Sequence, residues 1–155
     1  LINFAEQCRQ NWKRGGVEKV ELSCAPIPQG DWVAYEEYME ALLIKAVWGE
    51  LGQLIVRFPP ESTEDNRLHT HPKSDRRVTV LEGSGEFVCY RDKNILHYPL
   101  HPGIRVWMPR GILHTFKSGN EGLVVESLHN PFIPFSDPHC LVYPKESFKL
   151  CRKNG

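Results

Sequence analysis

The 155 residues fit one domain, and with 41% hydrophobic and 25% charged residues the composition is that of an ordinary globular protein. Lysine plus arginine equals aspartate plus glutamate at 19 each, a neutral balance that argues against nucleic acid as the main partner. No apolar run approaches the ~18 to 20 residues of a membrane span and no leader pattern opens the chain, so neither a membrane nor export is expected.

Residues 2–13 predict a short amphipathic helix, with Ile2, Phe4 or Ala5, Cys8 and Trp12 at helical spacing and Gly15-Gly16 as its end. Val17 to Leu22 alternates as a strand does, and Cys24 to Gly30 is a turn-rich linker. From Trp32 to Ala46 helix and strand signals compete: Glu36, Glu37 and Glu40 favour helix, while residues 42–48 read as a strand. Trp32 and Trp48 read as core or interface residues.

Gln53 to Phe58 is a strand stopped by Pro59-Pro60. Leu54, Val56 and Phe58 share one face, and Ile55 and Arg57 share the other; either face could line the interior. A polar loop from Glu61 to Arg67 leads to Leu68-His69-Thr70-His71-Pro72. Arg77 to Glu82 is the next strand, Gly83-Ser84-Gly85 a turn, and Glu86 to Arg91 a returning strand ended by an Asp92-Lys93-Asn94 hairpin turn. One of Cys89 and Tyr90 faces inward. His97 and His101 fall in a surface loop. Ile104 to Met108 is a strand leading into Pro109-Arg110-Gly111-Ile112-Leu113-His114. Residues 115–117 open another strand, 118–122 read as a loop, and Leu123 to Leu128 as the last strand. Asn130 to Phe135 is too proline-rich for a regular element, and 145–153 is basic with a short helix. Short strands at intervals of roughly 8 to 12 residues, with Gly and Pro turns, indicate an antiparallel barrel or jelly roll.

The cysteines, Cys8, Cys24, Cys89, Cys140 and Cys151, are odd in number and contain no C-x-x-C pair. Reduced thiols in a cytoplasmic protein are expected.

Residues two apart on a strand share a face, so His69 and His71 present both imidazoles to one side of the sheet. His114 follows a Pro-x-Gly turn. Neutral imidazole is the commonest protein ligand for zinc, copper, iron and nickel, so three in this arrangement point to a metal site inside a barrel.

These motifs resemble those of the cupin superfamily. The second cupin motif, G-x5-P-x-G-x2-H-x3-N, is matched by Gly103, Pro109, Gly111 and His114, with Ser118 in place of the Asn. The first, G-x5-H-x-H-x(3,4)-E-x6-G, is matched by His69, His71 and Gly83, with Thr63 where the opening Gly belongs. Its Glu is missing. Counting back from Gly83 puts Arg76 there, and counting forward from His71 with the shorter spacing gives Asp75. The resemblance runs from Arg57 to Glu126.

The resemblance implies an all-β fold, the cupin double-stranded β-helix or jelly-roll barrel, over residues 51–130. Residues 1–50, with their short helical segment, would pack on the barrel or on a partner subunit, and 131–155 would cover the barrel. It implies one divalent transition metal, Fe, Mn, Ni or Zn, on His69, His71 and His114. Asp75 would be a further ligand if a bulge turns it inward. A guanidinium at the Glu position would sit badly beside a dication unless Arg76 turns outward or pairs with Asp75 or a substrate carboxylate. Partners implied are a small polar molecule and a second copy of the chain. Glu126, Tyr90 and Arg57 are the candidates for orienting substrate, and His129 and His139, which flank the tail, could reach the barrel mouth as an acid or base. Dioxygenase-like chemistry leads, ahead of isomerase or lyase chemistry. The competing reading is a non-catalytic cupin whose degenerate site binds an anion.

Overall fold

A computed structural model describes residues 3–35, 39–62 and 67–144. Ile2, Glu36, Glu37, Thr63, Cys151 and the basic helix expected over 145–153 lie outside them.

Helix α1 (Phe4–Lys13) starts where Asn3 accepts the Glu6 N–H at 2.9 Å, satisfying one of the donors a helix start leaves open. It ends at Gly15 and Gly16, both at positive φ. Cys8 is its wholly buried residue, and the helix packs against strands β5 and β7. No described helix is long and apolar enough to cross a membrane.

The strands are β1 (Val17–Lys19), β2 (Trp32–Tyr35), β3 (Met39–Lys45), β4 (Gly52–Phe58), β5 (Asp75–Arg91), β6 (Asn94–Leu100), β7 (Ile104–Met108) and β8 (His114–Asn130). Every pairing is antiparallel, in the order β1-β7-β5-β8-β4-β3-β2, with β6 beside the far half of β5.

Two long strands replace what reads in sequence as four short ones. β5 and β8 pair from Asp75↔Asn130 to Cys89↔His114. Gly83-Ser84-Gly85 and residues 118–122 are not a turn and a loop but facing bends in them, with register shifts at Val80/Glu82 and Gly83/Gly85. Gly83 has φ 86°, and a Cβ there would meet the Gly122 carbonyl oxygen at 2.1 Å. Only glycine lets the backbones approach this closely, and the glycine that signals a turn also permits a bulge.

Elsewhere the shifts are smaller. The strand expected over 42–48 begins earlier, at Met39, and ends at Lys45. Trp48 follows in a turn, 63% exposed. His97 lies on β6 rather than in a loop, with Nδ1 at 2.8 Å from Glu86 Oε2. The strand expected over Val17–Leu22 stops at Lys19.

The core runs along the inner faces of the long strands: Leu54 and Val56 of β4, Val78, Val80, Phe87 and Cys89 of β5, Val106 and Met108 of β7, Leu123 and Val125 of β8. Cys89, not Tyr90, points inward. Cys8, Cys24, Cys89 and Cys140 are free thiols, and burial pushes Cys8 up to about 12 and Cys89 up to about 11. At neutral pH both are protonated core residues rather than nucleophiles.

Candidate metal and ligand site

His69 lies outside the named strands but is locked opposite His114 by an isolated antiparallel bridge. Each N–H donates to the other's carbonyl oxygen, at 2.8 and 2.9 Å. Directly paired residues project to the same face, and the two rings stand 4.6 Å apart. His71, two residues on, shares that face, its ring 5.1 Å from His69 and 5.0 Å from His114. One ligand atom from each lies within 4.8 Å of the others.

Two of the imidazoles are held by backbone carbonyls. His71 Nδ1 lies 2.9 Å from Cys140 O, and His114 Nδ1 2.9 Å from Ile112 O. A carbonyl only accepts, so each Nδ1 carries the hydrogen and each Nε2 keeps its lone pair. Burial first, then the Arg76 charge, holds His71 neutral well below the usual histidine range; burial and His69 do the same for His114. Neutral imidazoles with Nε2 unprotonated are the form that binds a metal.

The Pro-x-Gly turn fixes the third ligand. Gly111, at φ 87°, donates its N–H to His71 O at 3.2 Å. Asp75, 1% exposed, anchors the same turn: Oδ1 accepts the Arg110 N–H at 3.0 Å and Oδ2 accepts Arg110 Nη2 at 2.7 Å. Asp75 is therefore not in the histidine group. The strand carries no register shift until Val80, so no bulge turns Asp75 inward.

Arg76 turns inward instead, with Val78 and Val80. It is 6% exposed. Nη1 lies 3.3 Å from His71 Nε2, Nη2 3.6 Å from Cys140 Sγ, and Nε has no partner.

These groups face one cavity of about 190 Å3. Its walls are largely apolar, with Val56 and Phe58 of β4, Phe116 and Val125 of β8, and Phe135 of the tail. The tail closes one side: Thr70 and Val142 exchange backbone hydrogen bonds at 2.9 and 3.0 Å, bringing Cys140 and Leu141 to the cavity, and Phe135 stacks on Tyr35 at 4.0 Å.

The residues named from sequence for orienting substrate do not line this cavity. Arg57 pairs with Glu40 at 3.1 Å and lies over the Trp32 ring on the outer face of β4. Glu126 accepts from Gln53 Nε2 at 3.0 Å and meets Arg77 at 3.6 Å, again outside. Tyr90 is exposed, in a shallow groove beside Trp12 and Arg91. His139 is exposed as well.

The cavity holds instead Ser127 and His129, 4% and 2% exposed. His129 Nε2 lies 2.8 Å from Ser127 Oγ, while Nδ1 has no partner. Their signal was parity: Leu123, Val125, Ser127 and His129 alternate along one face, and Glu126 falls between them.

Three solved structures share this architecture. KdgF from Halomonas sp. matches with TM-score 0.54 and 19% identity over 65% of this chain and 88% of its own. Lactobacillus farciminis oxalate decarboxylase in a formate complex matches with TM-score 0.57 and 16% identity over 77% of this chain. CapF from Staphylococcus aureus matches with TM-score 0.60 and 15% identity over 74%. The chain has the cupin fold. It spans 35% of that decarboxylase and 34% of CapF, only part of either chain. No family model and no curated protein matches the sequence.

Within the cupin barrel the histidine donors suit one transition metal. An ion–nitrogen bond is about 2.0–2.1 Å, so three donors spread evenly around one ion stand at most ~3.6 Å from one another. The trio lies within 4.8 Å, so the rings close inward to share an ion. The Arg76 guanidinium opposes it, because Nη1 shares the His71 lone pair and repels a dication.

Proposed function

We propose that this cupin holds one divalent transition metal on His69, His71 and His114 and acts on a small molecule bound in the adjoining cavity. The observation that supports it is the convergence of three imidazoles, two of them held with Nε2 unprotonated. Bound there, iron, manganese, nickel or zinc would supply Lewis acidity and open coordination positions. Dioxygenase-like oxidation is the leading reaction class, with isomerase or lyase chemistry behind it. The chain's own residues do the rest. Cys140 O and Ile112 O hold the tautomers, the apolar walls exclude water, and Arg76 and His129 offer hydrogen bonds to the molecule inside.

Arg76 also favours a second reading, a non-catalytic cupin that binds a ligand without metal. Elemental analysis separates the two. Protein incubated singly with iron(II), manganese(II), nickel(II) or zinc(II) and desalted retains close to one ion per chain for at least one of them. His114→Ala lowers that retention by at least about tenfold, since one of three ligands is lost. Wild-type protein that retains none of the four supports the second reading.

A further inference from the structure

Among the described residues, Arg76 is a buried cation without a counter-charge. Its guanidinium meets a histidine lone pair and a thiol, and its Nε–H meets nothing. No carboxylate of the described residues is within ion-pair distance of it. Asp75, its neighbour in sequence, is committed to Arg110. Buried charges are normally paired, and an unpaired one is among the costliest features a fold can carry.

His129 sits opposite. Arg76 and His129 are a directly registered pair across β5 and β8. Both residues face the cavity and both are more than nine-tenths buried; Arg76 Nε and His129 Nδ1 are enclosed and without a partner. Where the Ser127 hydroxyl donates to His129 Nε2, the hydrogen resides on Nδ1. The pair then offers N–H donors and lacks an acceptor.

We propose that the cavity takes a small organic monocarboxylate. Its carboxylate seats against Arg76 and His129, and its apolar remainder lies against Val56, Phe58 and Val125. Charge selects the head group: one guanidinium neutralises one negative charge, whereas a phosphate dianion would leave charge unmatched in an apolar cavity. Planarity agrees, because guanidinium and carboxylate meet through parallel hydrogen bonds. Size limits the tail: about 190 Å3 is below the ~300–1,000 Å3 common for drug-sized ligands. The inference rests on reading the cavity as a ligand site, and it holds whether or not the histidines carry an ion.

The test is calorimetric titration of chelator-treated and metal-loaded protein with acetate, butyrate, hexanoate and benzoate, and with the four matched amides. At least one acid binds about tenfold or more tighter than its amide, with and without metal, because the amide cannot form the ion pair. Arg76→Met lowers that acid's affinity at least about tenfold and leaves the amide's unchanged. The same acid raises the melting temperature of the wild type but not of Arg76→Met. Equal binding of acid and amide, binding of none of the acids, or full acid binding by Arg76→Met overturns the proposal. Should Arg76→Met fail to fold, the acid-to-amide ratio of the wild type decides. Metal content measured on the same samples keeps the two readings apart. Acid binding without metal uptake removes the metal centre alone, and metal uptake without acid preference removes this inference alone.

Discussion

Asp75 and Arg76 are adjacent, oppositely charged and both buried, yet they do not pair. Successive side chains on a strand point to opposite faces. Asp75 goes to the outer turn and Arg76 into the cavity. The spacing of the first histidine motif brings one of the two to the position of its missing Glu. Choosing between them needs the register, because one bulge exchanges the faces. Each residue then has a separate job. Asp75 ties Arg110, and through it the turn before His114, to the start of β5. Asp75→Ala leaves the part-buried Arg110 N–H without its acceptor. Arg110 itself is half exposed and recovers water, so the expected loss is moderate, about 2 kcal/mol in urea denaturation. A loss below a few tenths of a kcal/mol would mean the contact is only incidental.

At the scale of elements, β5 and β8 carry most of the architecture. They run as one bent pair, so the histidine at the head of β8 and the arginine at the head of β5 reach a common cavity from opposite ends of the ladder. The bend depends on the close approach of Gly83 to the Gly122 carbonyl. Gly83→Val adds a branched side chain at positive φ, into the space of a backbone oxygen that cannot move aside cheaply. The expected destabilisation is at least about 3 kcal/mol. A thermal melt of the variant checks it, and an unchanged midpoint contradicts the bend as described. The same pair of strands explains why the sequence singles out Glu126 and not Ser127. A carboxylate among β-branched residues stands out in a sequence, whereas strand parity becomes decisive only once one inward residue is known.

For the molecule as a whole, the interior stores neutral histidines. In the unfolded chain a histidine takes up its proton near pH 6.5. In the fold, burial and then the Arg76 charge keep His129 neutral to well below that. Above about pH 6.5 both states are neutral and nothing is lost. Below it only the unfolded chain is protonated, so stability falls with pH by up to roughly 1.4 kcal/mol per unit for this residue. The fall levels off once the folded histidine also takes its proton. His71 and His114 act in the same direction in metal-free protein. Denaturation of metal-free protein between pH 7.5 and 5 therefore shows declining stability, and His129→Leu reduces the slope by about one proton's worth. A slope unchanged in the variant contradicts the assignment.

The amino-acid sequence alone determined the fold class and three imidazoles of the site, because strand period, glycine and proline punctuation and motif spacing are local properties. It also carried the absence of the expected glutamate. Tertiary structure alone decided which of Asp75 and Arg76 faces inward, that Arg57, Glu126 and Tyr90 lie outside, and that His129 and the tail's Cys140 complete the cavity. Those outcomes depend on register and on contacts between residues far apart in the chain, and a shift of one position exchanges inside for outside.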